Sequence, residues 1–283
     1  MRRLKRKMDK NEKGVATTVG TIMALLIFLS ILSLITQQYV PVWMEDNESY
    51  HMDEVKGQFA DIKGGVDSLV INDMTDYPRY SSVNLGTEGV PMFSGASPGR
   101  LSFNPRWSDS NPNKGMYLNF TDTESNEWVT FRSSGNLSYH AINREFEDQT
   151  LVYEHGALIL EQSDGEIMRA RPHISVEEVE TGEYEVSITL YHLIGDSREL
   201  YGTSQVGVTT ELVSIFSNTY SNVTNLNWNL TTAYPELWQG YIGNEIDALN
   251  LSTSGNTVGI FNSVDNITEL EIRRVRVEME LQR

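Results

Sequence analysis

The sequence predicts a mainly β protein: an N-terminal transmembrane helix and a short amphipathic stalk helix, followed by an antiparallel β-sandwich with one inserted helix. Three observations predict it. No charged side chain occurs from Val15 through Met44. Apolar residues then recur at alternating spacings of three and four from Met52 to Leu69. From Met116 onward, short runs rich in aromatic and β-branched residues alternate with tight-turn signals.

Residues 1–14 form a basic leader carrying Arg2, Arg3, Lys5, Arg6, Lys7, Lys10 and Lys13 against Asp9 and Glu12, a charge of +5. The other 269 residues hold 15 basic and 37 acidic groups. Basic flanks stay cytoplasmic during insertion, so the expected topology is single-pass in the cell membrane, N-terminus cytoplasmic, acidic C-terminal domain extracellular. Residues 15–40 are the expected span, long enough at about 20 apolar residues to cross a bilayer and contact membrane lipid. A cleaved secretory signal fits less well, because the run is long and ends in Tyr39-Val40-Pro41-Val42-Trp43 without an Ala-x-Ala box.

Lys13-Gly14 followed by Val15-Ala16-Thr17-Thr18-Val19-Gly20 resembles the class III signal of archaeal type IV pilins and archaellins. The resemblance implies a prepilin peptidase as partner, cleavage between Gly14 and Val15, and self-association through the N-terminal helix. Glu12 stands where a second basic residue is common, and Val19 takes the fifth mature position, where bacterial pilins place glutamate. A permanent signal anchor remains the other reading of the same residues.

Residues 45–74 read as the stalk. Met52, Val55, Phe59, Ile62, Val66 and Leu69 form one stripe, while Gly57, Gly64 and Gly65 predict a break near Gly64. Packing on the chain's own globular domain is favoured over a seam between subunits. Residues 75–115 are expected to be an irregular Pro/Gly-rich segment, and 116–283 the extracellular β-sandwich. Within it, Ala157–Gln162 and Ile167–Ala170 flank an Asp164-Gly165 hairpin turn. Tyr184, Val186, Ile188, Leu190 and His192 share one face of a strand, opposite Glu185, Ser187, Thr189 and Tyr191. Pro235 opens a helix with a stripe at Leu237, Trp238, Tyr241, Ile242, Ile246 and Leu249. In the last strand the alternation slips by one at Arg273-Arg274, which predicts a β-bulge there. Glu154–Leu160 and Arg273–Glu278 also look similar to uncharacterised archaeal membrane-anchored β proteins.

Seven Asn-x-Ser/Thr sequons, at Asn47, Asn119, Asn136, Asn222, Asn229, Asn250 and Asn266, are candidate glycosylation sites. No metalloprotease, nucleophile-elbow, phosphate-loop or dinucleotide motif occurs. Asp109–Gly115 is the best calcium-like turn, but Lys114 stands where an EF-hand needs glycine, and an Asn-Pro turn is favoured. No cofactor is expected. Phosphate binding needs a basic surface, so the acidic exterior argues against nucleic acid. With no cysteine, the core must form without disulfides. The expected function is a pilin-like structural or adhesion role without catalysis. The alternatives are a signal-anchored envelope receptor for carbohydrate or protein, and an ectoenzyme such as a hydrolase.

Overall fold

The computed structural model describes residues 2–105, 115–245, 251–260 and 267–283. Most of the calcium-like turn, Ile246 and Leu249 of the expected helix stripe, and the sequons Asn250 and Asn266 lie outside the described residues.

The chain starts as one helical rod. Helix α1 (Arg2–Leu34) passes through a π-helical turn (Ile35–Tyr39) into α2 (Val40–Ile71). Pro41 accounts for the turn: it has no N–H to return to the Gln37 carbonyl, and the Val40 N–H reaches back five residues to the Ile35 carbonyl. The break expected at Gly64 is absent, and α2 continues to Ile71. Magnitudes explain the difference. Three glycines cost about 3 kcal/mol in a helix, whereas all six stripe residues from Met52 to Leu69 are fully buried, and each such burial stabilises by about 1.5–3 kcal/mol.

Fifteen strands follow among the described residues. β1 (Arg79–Asn84) and β2 (Gly99–Asn104) lie in the stretch expected to be irregular. They belong to the two sheets, so the β body begins well before Met116. The strands after them are β3 (Met116–Asp122), β4 (Glu127–Ser133), β5 (Asn136–Ala141), β6 (Thr150–Glu154), β7 (Ala157–Gln162) and β8 (Gly165–Ala170). Next come β9 (Ile174–Glu180), β10 (Glu183–Ile194), β11 (Arg198–Gly202) and β12 (Gln205–Thr231). Helix α3 (Pro235–Glu245) precedes β13 (Leu251–Ser254), β14 (Thr257–Ile260) and β15 (Ile267–Gln282). A nine-stranded sheet runs β13-β14-β12-β15-β10-β9, with β1 and β3 also on β12 and β4 on β3. A six-stranded sheet runs β11-β2-β5-β6-β7-β8. Together they form a sandwich-like β domain, mainly antiparallel. One pairing corrects the all-antiparallel expectation: β10 and β15 run parallel. The long connection between them, which includes β11 to β14 and α3, is what permits it.

The bulge expected at Arg273-Arg274 is also absent. Thr189 and Leu190 of β10 face Arg273 and Arg274 in unbroken register, and Ser217 and Phe216 of β12 do the same from the other side. Instead the strand changes its buried face. Leu270 and Ile272 join one core with Val186, Ile188, Leu190, Trp228 and Trp238. Val275, Val277, Met279 and Leu281 join another with Tyr191, Leu193, Val208 and the α2 stripe. Neighbouring residues point to opposite faces, so a one-residue phase change in a straight strand carries it from one core to the other. β10 makes the same exchange at Leu190-Tyr191, which is why Tyr191 is fully buried on the face first read as solvated.

Candidate functional site: the apolar helix and its seat

Val15, Ile22, Leu26, Phe28, Ile31 and Leu34 point in different directions around α1, and all are exposed. An 18-residue window here has a mean hydropathy of 2.5, with none of it buried. A helix apolar all round and uncovered is not stable as a water-facing surface. It is long and apolar enough to cross a membrane. Its hydroxyls are satisfied internally: Thr21 donates to the Thr17 carbonyl and Ser30 to the Leu26 carbonyl, as a lipid environment requires. Tyr39 and Trp43 lie with ring centroids 6.0 Å apart and planes tilted by 42° where the apolar run ends, the position of an interfacial belt. The Gly14–Val15 bond lies within α1.

Beyond that belt, α2 is seated by buried polar contacts at both ends. Glu48 is fully buried, and its carboxylate accepts from the backbone N–H groups of Arg144 (2.9 Å), Glu145 (2.9 Å) and Phe146 (2.8 Å) and from the Ser97 hydroxyl. Burial alone raises its pKa. The bonds from Phe146, Ser97, Glu145 and Arg144 outweigh that and hold it below the ordinary carboxylate value. One turn on, His51 Nε2 lies 3.0 Å from the Tyr139 hydroxyl, which donates to the Leu85 carbonyl at 2.8 Å. Tyr139 has one proton to give, so His51 Nε2 carries the hydrogen of that contact.

At the far end, Asp67 is paired with Lys63 at 2.6 Å and accepts from the Tyr191 hydroxyl at 3.2 Å. Tyr191 in turn meets His173 Nδ1 at 2.7 Å. Arg273 donates to the Val70 carbonyl at 2.9 Å, tying the helix end to β15. Helix and sheets therefore form one unit.

A second polar group is buried at the β6–β7 turn. His155 and Gly156 both have positive φ, +49° and +82°, closing a two-residue hairpin. A Cβ on Gly156 would lie 2.5 Å from the Tyr191 ring, so glycine is required there. Glu154 accepts from Trp238 Nε1 at 2.9 Å and from the Thr232 hydroxyl, while its Oε2 has no partner among the described residues. Burial raises the Glu154 pKa against those two bonds. Burial, helped by His192, lowers His155 to about 4. The two act in opposite senses. Below pH 6.5 the unfolded histidine takes up a proton that the folded one refuses until about pH 4, and this weakens the fold by about 3 kcal/mol across that window. The unfolded Glu154 carboxyl ionises near pH 4.5 and the folded one later, so its share of stability falls as pH rises from there. Glu154→Gln keeps an acceptor for Trp238 and removes the ionisation. It is expected to raise Tm progressively above pH 4.5 relative to the parent, and to match it below; thermal melts at pH 4, 6 and 8 decide, and a pH-independent difference refutes the assignment.

The sequons separate by geometry. Asn47 on α2 and Asn222 on β12 are exposed, whereas Asn119, Asn136 and Asn229 are half-buried in paired strands. Asn119 Nδ2, the atom a glycan would occupy, contacts the Tyr117 hydroxyl at 3.2 Å. Among the described residues no group of three or more His, Asp or Glu side chains is placed to hold a metal. His192 borders the core, with its Nδ1 accepting from the Ser134 N–H at 3.2 Å. Glu48, Asp67 and Glu154 escaped the sequence reading. The first two sit in an acidic amphipathic helix where they look like solvated charges, and the third had only its place in the Glu154–Leu160 stretch as a signal.

Residues 116–280 match a Family of unknown function (DUF7289). The match covers more than half of the chain, which belongs to that family. No curated protein and no solved structure matches it.

Proposed function

We propose that this chain is a membrane-anchored, outward-facing surface protein with a pilin-like structural or adhesion role and no catalysis. One observation carries the reading. The helix that presents bare apolar surface over Val15–Leu34 continues as a helix through a π turn and, from Met44 onward, buries one face in the β domain. Such a helix holds the domain at a set distance from a bilayer and transmits force to it. The basic leader and acidic remainder orient it N-terminus inward. Exposed Asn47 and Asn222 are the two described sequons with room for a glycan.

Amino-terminal sequencing of the protein purified from its own membranes is expected to begin at Val15, and Gly14→Leu to abolish that processing. A chain that begins at Met1 or Arg2, unchanged by Gly14→Leu, leaves a simple anchor and removes the pilin-like assembly role. A second reading, a signal-anchored envelope receptor acting through its β domain, is favoured by the cleft beside the end of α2.

A further inference from the structure

Where α2 ends against the nine-stranded sheet there is a cleft of about 290 Å³, at the small end of the roughly 300–1,000 Å³ usual for small-molecule sites. Its two formal charges, Glu271 and Arg273, cancel. Asp67 behind it is already paired with Lys63. A site balanced in this way carries no net charge to favour an anion over a neutral ligand.

What the cleft offers instead is fixed hydrogen-bonding capacity of both kinds. Tyr191 donates to Asp67, so His173 Nδ1 carries the hydrogen of its 2.7 Å contact with the Tyr191 oxygen. That contact occupies Nδ1 and leaves Nε2, which has no protein partner among the described residues, as the ring's second hydrogen-bonding atom. Arg273 is held by a single bond to the Val70 carbonyl, leaving the rest of its planar fork of donors without a protein partner among the described residues. One oxygen of Glu271 takes the Ser187 hydroxyl at 3.1 Å. Ser175 adds a hydroxyl, and Ile71 and Ile174 supply an aliphatic wall.

Planar donors and acceptors, hydroxyls, an aliphatic wall and no net charge match a ring with hydroxyls at its edge and C–H groups on its face. We infer that this cleft binds one neutral pyranose unit of a saccharide. The inference deepens the receptor reading and does not depend on whether the Gly14–Val15 bond is cut, so failure of binding leaves anchoring untouched.

The test is saturation-transfer difference NMR on the full chain in a sugar-free detergent. The probes are the methyl glycosides of mannose, galactose and N-acetylglucosamine, with sodium acetate and inorganic phosphate as charged competitors. At least one glycoside is expected to give a saturable signal that acetate and phosphate do not displace. Arg273→Met and Ser175→Trp should each reduce it at least tenfold. Because Arg273 also secures the helix end, Ser175→Trp is the deciding variant: Ser175 is exposed on β9, and a bulky ring there fills the cleft without entering the core. No glycoside signal, a signal undiminished in Ser175→Trp, or displacement by acetate or phosphate would each overturn the assignment.

Discussion

A fragment of residues 73–283 is expected not to fold, whereas one of residues 45–283 should melt cooperatively. The two differ only by α2 beyond its membrane-facing end, yet that segment contributes Met52, Val55, Phe59, Ile62, Val66 and Leu69 to the core, all fully buried. At about 1.5–3 kcal/mol each, losing them removes about 9–18 kcal/mol, as much as the whole stability of an ordinary domain, about 5–15 kcal/mol. Their loss would also uncover Tyr139, whose ring lies against Phe59 and His51 of α2. Circular dichroism with thermal melting of both fragments decides. A cooperative transition in the shorter one would mean that α2 is a detachable stalk and that the rigid coupling of helix to domain is wrong.

The contrast between stalk and core marks how far local sequence signals reach. The apolar run from Val15 and the stripe from Met52 were legible because a helix face is defined by neighbours three and four places apart. The break at Gly64 was not, because local propensity favours it and only the non-local burial of Val66 and Leu69 overrides it. The slip at Arg273-Arg274 was read correctly as a change of phase. Its two physical solutions, a bulge that keeps one buried face or a straight strand that exchanges faces, differ only in whether a second core exists on the other side.

The candidate sites divide in the same way. Gly14–Val15 is a contiguous motif and needs no fold to be seen. The cleft beside α2 joins Ile71, His173, Ser187 and Arg273 across some 200 positions of chain, and no spacing announces it. Glu48 is hidden for a related reason. In sequence it is one of four acidic residues between Glu45 and Asp53, and only the loop at Arg144–Phe146 distinguishes it from the others.

That loop makes Glu48 the most consequential single polar side chain of the seat. Glu48→Ala is expected to destabilise the protein by about 3–5 kcal/mol. Three backbone donors and the Ser97 hydroxyl lose their acceptor at once, and an orphaned buried donor costs about 1–3 kcal/mol, less where water reaches it, as at the exposed rim of this loop. Glu48→Gln keeps the shape but offers one carbonyl oxygen in place of two, so it should fall between the two proteins. The charge also sets a pH limit. Its folded pKa lies below the ordinary 4.5, so the stability it contributes is fully present above that value and is lost as pH falls through the folded pKa. The parent should therefore lose stability more steeply than Glu48→Gln below about pH 4.5, and the two curves should converge in strong acid. Denaturant melts from pH 7 to pH 3 measure this. Parallel curves would show that the three N–H groups are satisfied without the carboxylate, and that the helix is held in its seat by the apolar stripe alone.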